Sequence, residues 1–246
     1  MTLRSQLETS GHWLFQRRSF LPLLVLGLGL AALRDLEFPR HSHALQEVWN
    51  LLCLGVALAG QALRFHTIGQ VPAGTSGRNR RDQRADALNT TRIYSLVRNP
   101  LYLGNCLIWM GVAAVPRSPW LFLTVGLVFW LYHEWIILAE ERFLEDKYGE
   151  TFRRWAAVTP VFITRWGNWR PAALPFSFRH ALGREYLGVF GVLSTFVFLD
   201  VIEDSVGYHH LTLPVGWLAA WLLALAAFLV IRILRKKTRL LVVEGR

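Results

Sequence analysis

The sequence predicts an all-α fold, a polytopic membrane helix bundle of about six transmembrane helices in three hairpins. Three observations carry that reading. The chain is 53% apolar and only 18% charged, a balance unusual for a water-soluble domain. Its apolar residues gather into runs near 19–33, 47–63, 100–115, 119–139, 186–202 and 212–234. Its basic residues fall almost wholly on one side of those runs. A spanning helix needs roughly 20 mostly apolar residues, since it rises about 1.5 Å per residue through a hydrocarbon core about 30 Å thick.

The first run is preceded by Trp13, Leu14 and Phe15, then Arg17 and Arg18, a pattern that suits an interfacial anchor. Arg34, Asp35 and Glu37 follow without a small-residue cleavage site, so it reads as a retained helix rather than a signal peptide. Placing the N-terminus in the cytoplasm puts Arg4, Arg17, Arg18, the basic residues of 64–98 and 142–184, and the tail from 232 inside. Only Arg34, Arg40 and Arg117 lie opposite, which is the positive-inside pattern with both termini cytoplasmic. The net charge of +10 is therefore a signature of topology and does not point to a nucleic acid partner.

The chain divides into an N-terminal hairpin, 1–65; a cytoplasmic loop rich in Gly and Arg, 66–98; a core hairpin with a cytoplasmic helix, 99–170; and a linker with a C-terminal hairpin, 171–246. The two cytoplasmic segments are too long for simple connectors, which usually take about two to eight residues. In the first, Val71-Pro-Ala-Gly-Thr-Ser-Gly-Arg-Asn-Arg-Arg81 should bend tightly and present donors. Its Arg78 and Arg81 either contact substrate or simply attract anionic lipid heads. In the second, 140–155 reads as one helix leaving the membrane, with Phe143, Leu144, Tyr148, Phe152 and Trp155 at three-to-four spacing.

Arg98-Asn-Pro-Leu-Tyr-Leu-Gly-Asn105 marks a helix start at the membrane surface, with Asn99 as N-cap and Pro100 at the first helical position. Free backbone N–H groups and the positive dipole end, beside Arg98, offer a seat to a carboxylate or phosphate. Arg98, Tyr102 and Asn105 share a face if the first turn is regular, and Gly104 admits a close neighbour. The alternative is a basic helix start that the positive-inside rule supplies anyway. The fourth run ends in His133-Glu-Trp and Leu138-Ala-Glu-Glu-Arg142. Acids this close to membrane depth are functional candidates by default, unless ion pairs with Arg98 or Arg142 explain them. Glu134 and Glu141, seven apart, lie on one face.

Cys53 and Cys106 lack metal-ligand spacing and read as small apolar residues. His41, His43, His209 and His210 read as interfacial polarity, so no metal site is expected. Asp200, Glu203 and Asp204 read as the acidic exterior end of a span, and Trp217 and Trp221 as packing or interface residues.

Taken together, Arg92-Ile-Tyr-Ser-Leu-Val-Arg-Asn-Pro-Leu-Tyr-Leu-Gly104, then Glu140-Glu141, then Lys147-Tyr-Gly-Glu-Thr-Phe-Arg-Arg-Trp155 and Pro160 resemble the isoprenylcysteine carboxyl methyltransferase and phospholipid methyltransferase superfamily. That family's core runs Tyr-x-x-x-Arg-His-Pro-x-Tyr-x-Gly, a helical hairpin, a Glu pair and an aromatic closing segment. Here Asn99 stands in place of the family's His, Arg92 where Gly is frequent, and Phe152 and Trp155 where tyrosines are common. The resemblance implies an integral membrane enzyme, of the bacterial inner membrane, that binds S-adenosylmethionine in a cytoplasmic cofactor pocket at these helix ends and methylates a membrane lipid or lipidated substrate. It implies catalytic roles for Arg98 and Glu141; cofactor contacts from Asn99, Pro100, Tyr102, Gly104, Asn105, Glu140, Glu141 and Tyr148; and substrate contacts from Arg78, Arg81 and Trp155.

Two other readings stand beside it. A membrane reductase of the sterol-reductase type shares a similar core and would bind NADPH, with loop arginines on its 2'-phosphate. The Glu pair disfavours it, because carboxylates repel a phosphate and attract a sulfonium. A non-catalytic lipid-binding membrane protein leaves those acids unexplained. For the methyltransferase, an anionic carboxylate or phosphate oxygen is the favoured acceptor, since it needs no general base and no isolated His or Lys stands at the cofactor side apart from His133 inside the fourth run.

Overall fold

The computed structural model describes residues 27, 43–72, 74–75, 85–171, 174–208, 215–243 and 245. Among these all the regular structure is helical, with no strand. The helices are α1 (His43–Ile68), α2 (Ile93–Leu96), α3 (Pro100–Ala114), α4 (Pro119–Tyr148), α5 (Glu150–Val158), α6 (Phe178–Tyr208) and α7 (Val215–Lys237), with one 3-10 turn at Trp166–Asn168. α1, α4, α6 and α7 are long and apolar enough to cross a membrane, and the chain is an integral membrane protein. The expected span at 19–33 lies outside the described residues apart from Gly27. α3 has 15 residues. At about 1.5 Å per residue it falls short of a full hydrocarbon crossing.

Helix ends follow local chemistry. Ser118 caps α4 by accepting a hydrogen bond from Leu121 N at 3.3 Å, ahead of Pro119 at the first position. α4 then runs for 30 residues, roughly 45 Å, so its last turns leave the hydrocarbon as one continuous rod. The single helix expected over 140–155 is thus divided. Good helix formers carry α4 to Tyr148, and Gly149 breaks it at φ 53°, ψ −123° before α5 begins. Open space surrounds a Cβ placed on Gly149, so only the backbone conformation penalises a side chain there. Gly149→Ala should therefore lower stability by about 1–3 kcal/mol. Thermal melting in detergent checks this, and a wild-type midpoint would show that the hinge relaxes freely.

α1 packs most closely on α3, where small residues let the backbones approach. A Cβ on Gly60 would sit 2.4 Å from Gly104 O, and one on Gly111 2.7 Å from Cys53 O. Cys53, Ala57, Val115, Val192, Phe196 and Leu199 form the apolar core between α1, the end of α3 and α6. Cys53 thus packs as the small apolar residue expected, and both cysteines are free. α7 touches α6, where Trp221 Nε1 donates to Ser194 Oγ at 3.0 Å, and none of its residues is buried. That all-round apolar surface suits lipid.

Asp200, Glu203 and Asp204 are not an exterior acidic rim. They are buried at 5%, 0% and 3% exposure, turned inward against α1. Asn50 Nδ2 donates to Asp200 Oδ1 at 3.0 Å and to Glu203 Oε2 at 2.9 Å, Gln46 Nε2 donates to Asp204 Oδ1 at 3.1 Å, and Arg117 pairs with Glu203. The carboxylates are tolerated there because amide donors and a guanidinium replace the water they lose. This polar knot fastens α6 to α1 at one end of the bundle. The ends of α1 and α4 and the starts of α3 and α6 meet at the other.

Candidate active site

The second end is held together by a strip, 160–170, that runs antiparallel along 92–98. Arg92 N donates to Arg170 O at 2.7 Å, Arg165 N to Leu96 O at 3.0 Å and Arg98 N to Pro160 O at 2.8 Å. Ser95 Oγ accepts from Arg170 N at 3.0 Å, and the Trp155 indole N–H donates to Tyr94 O at 3.0 Å. Trp155 is buried under the α2 turn, where it braces the wall. These bonds fix the residues just before α3 without help from regular structure.

Asn99 is the N-cap residue, as expected, but its side chain caps nothing. Its amide reaches away toward Val161 O at 3.4 Å, and Pro100 takes the first helical position. Arg98 precedes the helix and extends to α4, pairing with Glu141 at 2.8 Å. Tyr102, one turn in, also meets α4: its hydroxyl donates to Glu140 Oε1 at 2.8 Å. Asn105 instead faces α1 and accepts from Arg64 Nη1 at 2.8 Å. The common face predicted for Arg98, Tyr102 and Asn105 is therefore split between two neighbours, because Arg98 sits outside the helical register. Glu134, predicted to share a face with Glu141, is exposed.

Behind Tyr102 lies His133, buried, with ring centroids 5.0 Å apart and tilted edge-on. His133 also stacks on Phe129 at 3.8 Å and places Nδ1 2.9 Å from Phe129 O. It serves as an aromatic floor for the tyrosine. Tyr94 completes this neighbourhood from the α2 side. Burial, reinforced by the Glu140 charge and opposed by Arg64, pushes its phenol well above the usual range, so it stays a neutral hydroxyl. Tyr148 lies about 10 Å farther along α4 than Glu141. Its hydroxyl donates to Ala85 O at 2.6 Å, pinning the loop that precedes α2. Arg78 and Arg81 lie outside the described residues.

A deeper layer comes from α1 and α6. Arg64 grips Glu185 with two bonds, Nε to Oε2 at 3.0 Å and Nη2 to Oε1 at 2.9 Å, and Gln61 Nε2 adds a third at 2.9 Å. Gly104 makes room for it, since a Cβ there would meet Arg64 Cγ at 2.6 Å. One glycine thus serves both the helix contact and the path of the arginine. The Glu pair, Tyr102 and Arg98 thus stand together at one bundle end.

Residues 50–151 match the phospholipid methyltransferase family. The matched residues include Arg64, Arg98, Tyr102, Gly104, Asn105, Glu140, Glu141 and Tyr148, and end before Trp155. Over 85 residues the chain is 35% identical to the cobalt-zinc-cadmium resistance protein CzcN of Cupriavidus metallidurans, covering 35% of this chain and 39% of that protein. The chain thus matches about two-fifths of that relative's length. No protein of solved structure matches the chain. Among the described residues, no group of three or more His, Cys, Asp or Glu side chains could hold a metal ion. Glu185 lies outside the matched residues, yet it contributes a buried carboxylate to the same end. An acid among the apolar residues of α6 is the signal that could have found it, the same one that singled out Glu140 and Glu141.

Proposed function

We propose that this protein is an S-adenosylmethionine-dependent methyltransferase of the bacterial inner membrane, acting on a membrane-embedded lipid-like acceptor at a carboxylate or phosphate oxygen. The observation that carries this reading is the pairing of Glu140 with Tyr102 and of Glu141 with Arg98, side by side within the family-matching segment. The distribution of basic residues supports a cytoplasmic setting for this end and for both termini.

The residues fit a cationic methyl donor. Carboxylates and aromatic faces attract a sulfonium. Arg98 Nε is buried without a hydrogen-bond partner, so the guanidinium that pairs with Glu141 retains donor capacity for a ligand. Glu140, Glu141, Tyr102 and Asn105 would hold the donor, and bound S-adenosylmethionine supplies an activated methyl group. The chain's own task is then positioning and exclusion of water, since an in-line displacement by an ionised oxygen needs no proton removed. Arg98, paired with Glu141, would present its charged donors to the anionic acceptor oxygen, and the 160–170 strip shields the wall. Asp200, Glu203 and Asp204, at the far end, take no part.

Calorimetric titration of the purified protein with S-adenosylmethionine and, separately, NADPH tests the reading. Saturable binding of the first with no heat from the second is expected. The opposite pattern would overturn it in favour of a reductase.

A further inference from the structure

The strip at 160–170 turns its backbone inward and its large apolar side chains outward. Pro160 O accepts from Arg98 N, Arg165 N donates to Leu96 O, and Arg170 both accepts from Arg92 N and donates to Ser95 Oγ. Asn168 N adds a bond to Arg165 O at 3.1 Å. Pairing these groups removes the main cost of laying an irregular segment against a bilayer. The side chains do the reverse of what a water-facing loop requires. Ile163 is 84% exposed, Trp166 76% and Trp169 52%, and Arg165 and Arg170 among them are exposed too. An exposed apolar patch marks a membrane or protein contact, and tryptophan beside arginine suits the headgroup boundary, where an indole meets both phases.

A ring contact decides between the two partners. Phe162 packs on Trp130 with centroids 5.4 Å apart. Trp130 and Leu127 are exposed on α4, a helix long and apolar enough to span a membrane. Glu134, exposed one turn beyond Trp130, marks where that outward side becomes polar. Phe162 therefore rests on the lipid-facing flank of a span, close to where hydrocarbon gives way to headgroups. The chain that carries Ile163, Trp166 and Trp169 leaves from that point. Its two arginines complement an anionic leaflet, which attracts a basic residue near its surface by about 1 kcal/mol.

We propose that residues 162–170 are an interfacial anchor. Ile163, Trp166 and Trp169 insert at the boundary between headgroups and acyl chains, and Arg165 and Arg170 bind the phosphates of anionic phospholipids. The anchor does not depend on the methyltransferase reading. Because the strip also holds 92–98, it fixes the depth of the candidate site relative to the headgroups.

Spin labels on Ile163→Cys and Gly167→Cys test this in the full chain, with Cys53 and Cys106 replaced by alanine. A Cβ on Gly167 meets open space, so a label there leaves the strip undisturbed. The protein is reconstituted in phosphatidylcholine vesicles with and without phosphatidylglycerol. Collision with oxygen, which concentrates in lipid, is compared with collision with a water-soluble nickel chelate. A label on Leu127→Cys gives the lipid reference and a free nitroxide in water the aqueous one. The Ile163 label should favour oxygen as the Leu127 label does, and the Gly167 label should fall between the references. Phosphatidylglycerol should lower nickel access at Gly167 at least about twofold, and Arg165→Gln with Arg170→Gln should abolish that change. Melting near the wild-type temperature shows that each variant keeps its fold. Labels at both positions as open to nickel as the free nitroxide would overturn the anchor and leave the patch to a protein partner. Nickel access at Gly167 that ignores phosphatidylglycerol would overturn the role of the two arginines.

Discussion

Arg64→Ala should destabilise the protein by about 3–5 kcal/mol, the cost of leaving a buried carboxylate without its cation. Glu185 is only 2% exposed and receives two bonds from Arg64 and one from Gln61. After truncation the Gln61 amide alone faces the charge, and water cannot enter freely among α1, α3 and α6. Glu185→Gln should be milder, about 1–3 kcal/mol, since a neutral amide still accepts from Arg64 and needs less solvation. Replacing both at once, Arg64→Met with Glu185→Leu, should recover most of the loss, because a buried pair exchanged for apolar side chains is often nearly neutral. Unfolding in detergent by heat or denaturant measures all three. Equal, additive losses in the single and double variants would show that the two side chains do not act as a pair.

This pair also shows where sequence reading stops. The apolar runs and the acids closing α4 are local signals, and five of the six expected helices occur among the described residues near their predicted places. The break at Gly149 was not read, although a lone glycine between helix formers is a local signal, because the aromatic spacing across it suits one helix over 140–155. Partner choice was not legible. Arg64 meets Glu185 across 121 positions, and Asn50 meets Glu203 across 153. Nothing local distinguishes an acid at a span end that faces water from one that turns inward, so Asp200, Glu203 and Asp204 read as a rim. The face of Asn105 was misjudged for a related reason. Helical spacing was applied from Arg98, whose backbone is pinned to Pro160 before the helix starts. The motif order pointed to the family segment, whereas the contribution of α6 lies beyond any motif and required the packing itself.

Arg98→Ala and Glu141→Ala should separate binding from turnover. The pair is partly open, with Arg98 at 17% and Glu141 at 24% exposure. Ion pairs that touch solvent contribute about 0–1 kcal/mol, so neither substitution should unfold the chain. Removing Glu141 takes away a carboxylate that attracts the sulfonium, and S-adenosylmethionine affinity should fall about tenfold, equivalent to 1.4 kcal/mol. Removing Arg98 unmasks that same carboxylate, so affinity for S-adenosylmethionine should hold or rise. Turnover should nevertheless drop about 10²–10³-fold, the range lost with a preorganised charged donor at a reacting centre. Methyl transfer to extracted membrane lipids, measured beside calorimetric affinity, resolves the two. If Arg98→Ala lowers affinity as much as Glu141→Ala and turnover follows in proportion, the pair acts only as one binding unit. If both variants keep normal affinity and turnover, the Arg-Asn-Pro segment is a helix start and the methyl donor sits elsewhere.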